Sequence, residues 1–110
     1  MPYIYEVSFE IRPEQMDELQ IGHGLARVLG YLRALLPNEH GFMTSRALYS
    51  VDDSDCTRLV FFSEWGSWEA LERHRDSALL ETKVLSEFDP HVKQQDMTTR
   101  IYAEVGPRDS

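Results

Sequence analysis

Two residues stand out for the chemistry they could do, Trp65 and His74, nine positions apart. An imidazole ordinarily titrates near neutrality, so His74 is the natural candidate for a general base. The indole of Trp65 offers a flat wall for a planar ligand, and its N–H can donate to a ligand oxygen. Phe61 shares a strand face with Trp65, and Trp68 follows close behind. Arg46 and Arg100 could neutralise an anion, while Tyr5, Tyr49 and Tyr102 could donate hydrogen bonds. His23, between Gly22 and Gly24, could stand at a pocket mouth. Each also has a plainer role. A histidine beside a tryptophan often packs, Trp68 suits a helix-to-sheet contact, and strand arginines commonly pair with carboxylates such as Glu6 or Glu104.

Other chemistries find little support. The four histidines (His23, His40, His74 and His91) form no pair at metal-ligand spacing, and there is no Cys-x-x-Cys, so no metal site is expected. The single cysteine, Cys56, lies in an acidic turn that disfavours a thiolate and cannot form an internal disulfide. No glycine-rich phosphate loop or dinucleotide fingerprint is present. Nineteen acidic residues against eleven basic ones give a formal charge of -8, which argues against nucleic acid as a partner. No apolar stretch approaches the roughly 20 residues that span a bilayer. With no signal-like start, a cytoplasmic location and no membrane partner are expected.

The elements that must position these residues follow from periodicity. Tyr3 to Ile11 alternates, with Tyr3, Tyr5, Val7, Phe9 and Ile11 on one face, which predicts a strand. Pro13 to Leu36 reads as helical, with a stripe of Ile21, Leu25, Val28, Leu29, Leu32, Leu35 and Leu36. Met16 and Leu19 fall out of phase with that stripe, so a kink or break is expected at Gly22-His23-Gly24. Strands are predicted over Phe42 to Ser50 and Thr57 to Trp65, joined by the turn Val51 to Asp55. Ser67 should cap a short helix containing Trp68, Ala70, Leu71 and His74. A second short helix is expected from Asp76-Ser77 to Phe88, with Leu80, Val84, Leu85 and Phe88 inward. A last strand runs from about Met97 to Val105. Residues 1–106 form one domain, and residues 107–110 a flexible tail.

This order, β-α-β-β-α-β, predicts an α+β ferredoxin-like fold, a four-stranded antiparallel sheet with helices on one face. Helices cover one side only, yet apolar residues occupy both: Tyr5 and Ile4, Phe61 and Phe62, Ile101 and Tyr102. Soluble monomers rarely leave such a patch open, so a homodimer packed through its sheet faces is expected.

The run Phe61-Phe62-Ser63-Glu64-Trp65-Gly66-Ser67-Trp68-Glu69-Ala70-Leu71-Glu72-Arg73-His74 resembles the strand-to-helix signature of the antibiotic biosynthesis monooxygenase family. Gly41-Phe42, Thr44-Ser45-Arg46 and Arg100-Ile101-Tyr102 extend the resemblance over most of the chain. It implies a dimeric α/β barrel with a pocket between sheet and helices in each subunit. Some members oxidise phenolic or anthrone-type polyketide intermediates with molecular oxygen and no cofactor, and related members degrade haem. The haem-degrading ones use an asparagine on the first strand, whereas Tyr3 to Ile11 has none and Asn38 lies elsewhere. The resemblance therefore points to a cofactor-independent monooxygenase acting on an aromatic or polyketide-type molecule. Trp65 and His74 would be catalytic, with Tyr5, His23, Arg46, Phe61, Trp68, Arg100 and Tyr102 binding substrate. The alternatives are a non-catalytic dimeric module for a small hydrophobic ligand and an acid–base isomerase or cyclase, since one fold hosts many activities.

Overall fold

The computed structural model describes residues 2–52 and 55–105. Strands β1 (Tyr3–Ile11), β2 (Phe42–Tyr49), β3 (Thr57–Trp65) and β4 (Thr98–Ala103) form one antiparallel sheet in the order β2-β3-β1-β4. Helix α1 (Glu18–Leu35) links β1 to β2, and helices α2 (Trp68–Ser77) and α3 (Leu79–Phe88) link β3 to β4. This is the expected ferredoxin-like β-α-β-β-α-β arrangement, its second helical crossing split in two. The expected tail, residues 107–110, lies outside the described residues.

The alternation seen in the sequence becomes a two-faced sheet. Tyr5, Val7, Phe9 and Ile11 from β1 pack with Leu59, Phe61 and Trp65 from β3 beneath the helices. Val28 and Leu32 of α1, Leu71 of α2 and Leu80, Val84 and Phe88 of α3 close the core from the other side. Burying each large apolar side chain contributes about 1.5–3 kcal/mol, so this layer carries much of the fold's stability.

Helix α1 corrects the expected kink. It is continuous from Glu18 to Leu35, running straight through Gly22-His23-Gly24. The apparent change of phase arises because the helix begins later than Pro13. Residues 13–15 form a turn in which the Gln15 N–H donates to the Arg12 carbonyl at 2.9 Å. Asp17 then caps the helix: its carboxylate accepts from the Gln20 N–H at 2.8 Å, and the Gln20 side chain accepts from the Asp17 N–H at 2.9 Å. This reciprocal cap satisfies two otherwise orphaned donors. Met16 is buried from the turn, and Leu19 faces out, 68% exposed. Gly24 serves packing, since a Cβ there would stand 2.7 Å from Phe88 Cζ, so the glycine lets α1 lie against α3.

The junction before α2 is equally tight. Gly41 has φ +87°, and a Cβ on it would meet Ala70 Cβ at 2.6 Å. Gly66 N–H donates to the Gly41 carbonyl at 2.8 Å, and Ser67 Oγ caps α2 by accepting from Ala70 N–H at 3.2 Å. Together these contacts hold the start of α2 against the end of β3. The second short helix begins at Leu79 rather than at Asp76-Ser77, because Ala78 takes a left-handed conformation (φ 52°) that no regular helix tolerates.

Among the described residues no helix covers the opposite sheet face. Ile4, Val60 and Phe62 are half-buried there, while Arg46, Leu48, Arg100 and Tyr102 are exposed. A shallow cleft of about 260 Å³ on this face is lined by Ile4, Thr44, Arg46, Phe62 and Glu64, among others. Among the described residues, no helix is long and apolar enough to cross a membrane.

Candidate functional site

Strand β3 and helix α2 bring Trp65 and His74 together. Their rings stack with centroids 4.8 Å apart and planes inclined by 27°. Trp65 ends β3 facing the helices, and His74 lies one turn beyond Ala70 and Leu71 on the buried side of α2, so both point into the same layer. Phe42 meets Trp65 edge-on at 5.5 Å. The Tyr5 ring stands nearly perpendicular to the imidazole, at 5.6 Å and 89°. Tyr5 faces Ser63 across the β1–β3 ladder, and the Trp65 indole N–H donates to Ser63 Oγ at 2.9 Å.

Three titratable groups meet here. His74 is only 6% exposed, and burial pulls its imidazole down from 6.5 to about 4, so it is neutral at physiological pH. Its Nε2 is buried with no hydrogen-bond partner among the described residues. Unsatisfied buried polar atoms are uncommon and call for an explanation. The Tyr5 hydroxyl donates to Glu81 Oε1 of α3 at 3.4 Å. Burial, then the negative charge of Glu81, pushes the Tyr5 hydroxyl up, and burial also raises the Glu81 carboxyl.

Chemically, the cluster offers an imidazole lone pair or N–H awaiting a partner, two flat aromatic faces and a phenol tied to a carboxyl group. The sequence reading missed Glu81. A signal was available, because Glu81 shares the helical stripe of Val84, Leu85 and Phe88 at three-, four- and seven-residue spacing. A carboxylate on an inward stripe suggests a buried partner.

The other expected site residues divide between the two sheet faces. Phe61 lies in the core beneath the helices, on the same strand face as Trp65. Arg46, Arg100 and Tyr102 lie on the uncovered face, so they do not join the Trp65–His74 cluster. The Tyr102 hydroxyl donates to Glu6 Oε1 at 2.8 Å, and Arg100 stands opposite Glu6 in the ladder. Among the described residues neither Arg46 nor Arg100 forms an ion pair. Trp68 is 40% exposed and packs edge-on against Tyr3 at 5.6 Å, rimming the end of the sheet where Trp65 lies. His23 is exposed on continuous helix, so the expected kink at a pocket mouth does not form around it. The expectation that the Trp65 indole donates to a ligand is also revised, because that N–H is already committed to Ser63.

Trp65 and His74 line neither of the two clefts described on the surface. One is the shallow cleft on the uncovered sheet face, and the other, of about 450 Å³, lies at the opposite end of β1 between Arg12, Arg58, Cys56 and His91. The rings of Trp65 and His74 contact one another, and the imidazole contacts that of Tyr5, between sheet and helices. Among the described residues no group of three potential metal ligands comes together.

No protein-family model matches the chain, and no curated protein matches it by sequence. Solved structures do. SnoaB, a cofactor-independent oxygenase from Streptomyces nogalater, superposes with a TM-score of 0.62 at 10% identity, covering 100% of each chain. A "putative antibiotic biosynthesis monooxygenase" from Caulobacter crescentus gives a TM-score of 0.62 at 11% identity, over 96% of this chain and 91% of that one. A dimeric ferredoxin-like protein of unknown function from Jannaschia gives 0.63 at 11% identity, over 93% and 99%. At these identities the likeness speaks for the fold. This chain has the ferredoxin-like fold of proteins that include antibiotic biosynthesis monooxygenase structures and a cofactor-independent oxygenase.

Proposed function

We propose that the Trp65–His74–Tyr5 cluster binds a planar aromatic or polyketide-type molecule and promotes its oxidation by molecular oxygen, as a monooxygenase-type enzyme. The observation that carries this reading is the buried, neutral imidazole whose Nε2 has no hydrogen-bond partner among the described residues while its ring is stacked on Trp65. A base kept neutral and unpaired is poised to take a proton from a ligand placed against it. A substrate anion forming beside the imidazole stabilises its charged form, so the basicity suppressed by burial is recovered when the proton moves.

The reaction balances without a further reductant. For an anthrone-type CH2 group, His74 takes one proton and leaves a delocalised carbanion. The carbanion passes an electron to dioxygen, and the radical pair joins in a C–O bond to give a peroxide anion. The O–O bond then breaks as the second C–H proton leaves, forming the carbonyl. The released hydroxide takes the proton from His74. Overall, CH2 and O2 become C=O and H2O, with carbon oxidised and dioxygen reduced to the carbonyl oxygen and water. His74 serves as the catalytic base, Trp65 as the aromatic wall, and no cofactor enters. Tyr3 and Trp68, at the rim of this end of the sheet, offer the first aromatic contacts to an incoming ligand.

The protein acts as a homodimer in this reading, its copies packed through the uncovered sheet faces. Leu48 and Tyr102 are 39% and 40% exposed there and share the face with Ile4, Val60 and Phe62, apolar side chains set among Glu6, Arg46 and Arg100 that a two-fold partner covers.

Oxygen uptake tests the enzyme reading. With 1,8-dihydroxyanthrone as substrate, wild type should consume dioxygen above the uncatalysed rate, and His74→Ala should lose at least about a hundredfold of that excess, as expected for general-base catalysis. If wild type shows no uptake but binds the quinone product, the ligand-binding module becomes the better description. Proton exchange at the substrate CH2 without oxygen uptake would favour an isomerase or cyclase.

A further inference from the structure

Tyr5 and Glu81 have no part in the proton transfer just described, yet they are held together beside it. Tyr5 is 2% exposed, sits edge-on to the His74 ring, and faces Ser63 across the sheet. Its hydroxyl donates to Glu81 Oε1 of α3 at 3.4 Å, an interaction bridging residues far apart in the chain. Among the described residues, Glu81 takes part in no salt bridge, and the phenol is the side-chain partner shown for its carboxyl group, which also accepts from its own backbone N–H. A tyrosine hydroxyl has one hydrogen to give and two lone pairs. With that hydrogen spent on Glu81, the oxygen can only accept from a third group.

We propose that Glu81 is a positioning residue that turns Tyr5 Oη into a hydrogen-bond acceptor, and so selects neutral ligands carrying a free hydroxyl over their methyl ethers. This rests on the ring cluster being the ligand site. The ligand class is thereby narrowed to phenols and enols, whose O–H donates to Tyr5 while their ring lies among Trp65 and His74. Ketones and ethers that carry no hydroxyl offer Tyr5 no hydrogen, so an acceptor facing an acceptor disfavours them. A site built to pair a hydroxyl leaves a buried polar atom unsatisfied when that hydroxyl is absent.

The test compares 2-naphthol with 2-methoxynaphthalene, both neutral at pH 7 and followed by their own fluorescence, in wild type, Glu81→Leu and Tyr5→Phe. The quantity read is the ratio of the two dissociation constants, which general loosening of the site leaves unchanged. Wild type is expected to prefer 2-naphthol by about tenfold, the size of one net hydrogen bond. Both variants should bring the ratio close to one. In Glu81→Leu this occurs because the freed hydroxyl can donate to the ether oxygen. A preference retained in Glu81→Leu, or equal binding of both compounds to wild type, overturns this assignment and leaves the ring cluster as the ligand site. Failure of wild type to bind either compound overturns the site itself, and the assignment with it. Should Glu81→Leu not fold, the wild-type ratio and Tyr5→Phe, which keeps the ring, decide between the same outcomes.

Discussion

The buried imidazole makes an acid-stability prediction that can be worked through in full. His74 titrates at about 4 in the folded protein and at 6.5 in an unfolded chain. Above pH 6.5 both states are neutral there, and the residue contributes nothing to the pH dependence. Between 6.5 and 4 the unfolded chain takes up a proton that the native state refuses, so stability falls as pH falls. Each pH unit costs up to about 1.4 kcal/mol, and the full window about 3 kcal/mol. Below about 4 both states are protonated and the loss levels off. Glu81 acts in the opposite sense, because its raised native titration favours the folded state at low pH. That contribution is complete below its ordinary value of 4.5 and fades as pH rises through the native one. Glu87, held low by Arg27 and Lys83, loses stability as pH falls below 4.5. His74→Leu removes only the imidazole contribution. Urea unfolding of wild type and His74→Leu at intervals from pH 7.5 to 5 isolates it as a difference. Relative to the variant, wild type should lose about 2 kcal/mol between pH 6.5 and 5. A flat difference over that interval would falsify the view that His74 is folded neutral and out of water's reach.

Other expectations follow from the packing. Gly24→Ala should destabilise by about 1–2 kcal/mol in chemical unfolding, because the Phe88 ring blocks the new methyl group. Gly22→Ala, with nothing within 4 Å of the added atom, should instead stabilise by up to about 1 kcal/mol through helix propensity. Ser63→Ala should leave the Trp65 N–H unpaired, costing about 1–3 kcal/mol and altering the tryptophan emission spectrum, whereas Ser77→Ala should leave that spectrum unchanged. If the proposed homodimer forms through the uncovered face, wild type should scatter light as a dimer and Phe62→Asp, placing a charge on that face, as a monomer at the same concentration.

How much of this could be read from the sequence depends on how local the cause was. Strands β1 and β3 have the expected bounds, because their alternation runs unbroken from end to end. The start of α1 was placed too early, since Pro13 and Met16 imitate a first helical turn. The stronger signal was Asp17 with Gln20 three residues on, whose side chains cap each other. Gly24 looked like a helix breaker because its partner, Phe88, is remote in sequence and the contact exists only once α1 and α3 meet. The stacking of Trp65 on His74 agrees with the sequence expectation that these two residues belong together, because the tight Gly41–Ala70 contact and the Ser67 cap launch α2 directly from β3. Arg46, Arg100 and Tyr102 went astray for a different reason. Alternation sorts residues into two faces, but only strand register tells which face the helices cover. Trp65 and Phe61 mark the covered face through β3, and Arg46 pairs with Phe62, on the other side.

The central claim is that His74 Nε2 awaits a ligand proton. The most direct measurement is the imidazole nitrogen NMR signal of His74 at pH 7 during titration with 2,3-dihydroxynaphthalene, which has one hydroxyl for Tyr5 and a second for His74. The free protein should show a neutral ring, and saturation should shift the Nε2 resonance toward the hydrogen-bonded range with the same dissociation constant that fluorescence reports. A His74 signal that stays fixed while 2,3-dihydroxynaphthalene saturates the protein would contradict the account, placing the ligand elsewhere and leaving His74 as a packed residue of the core.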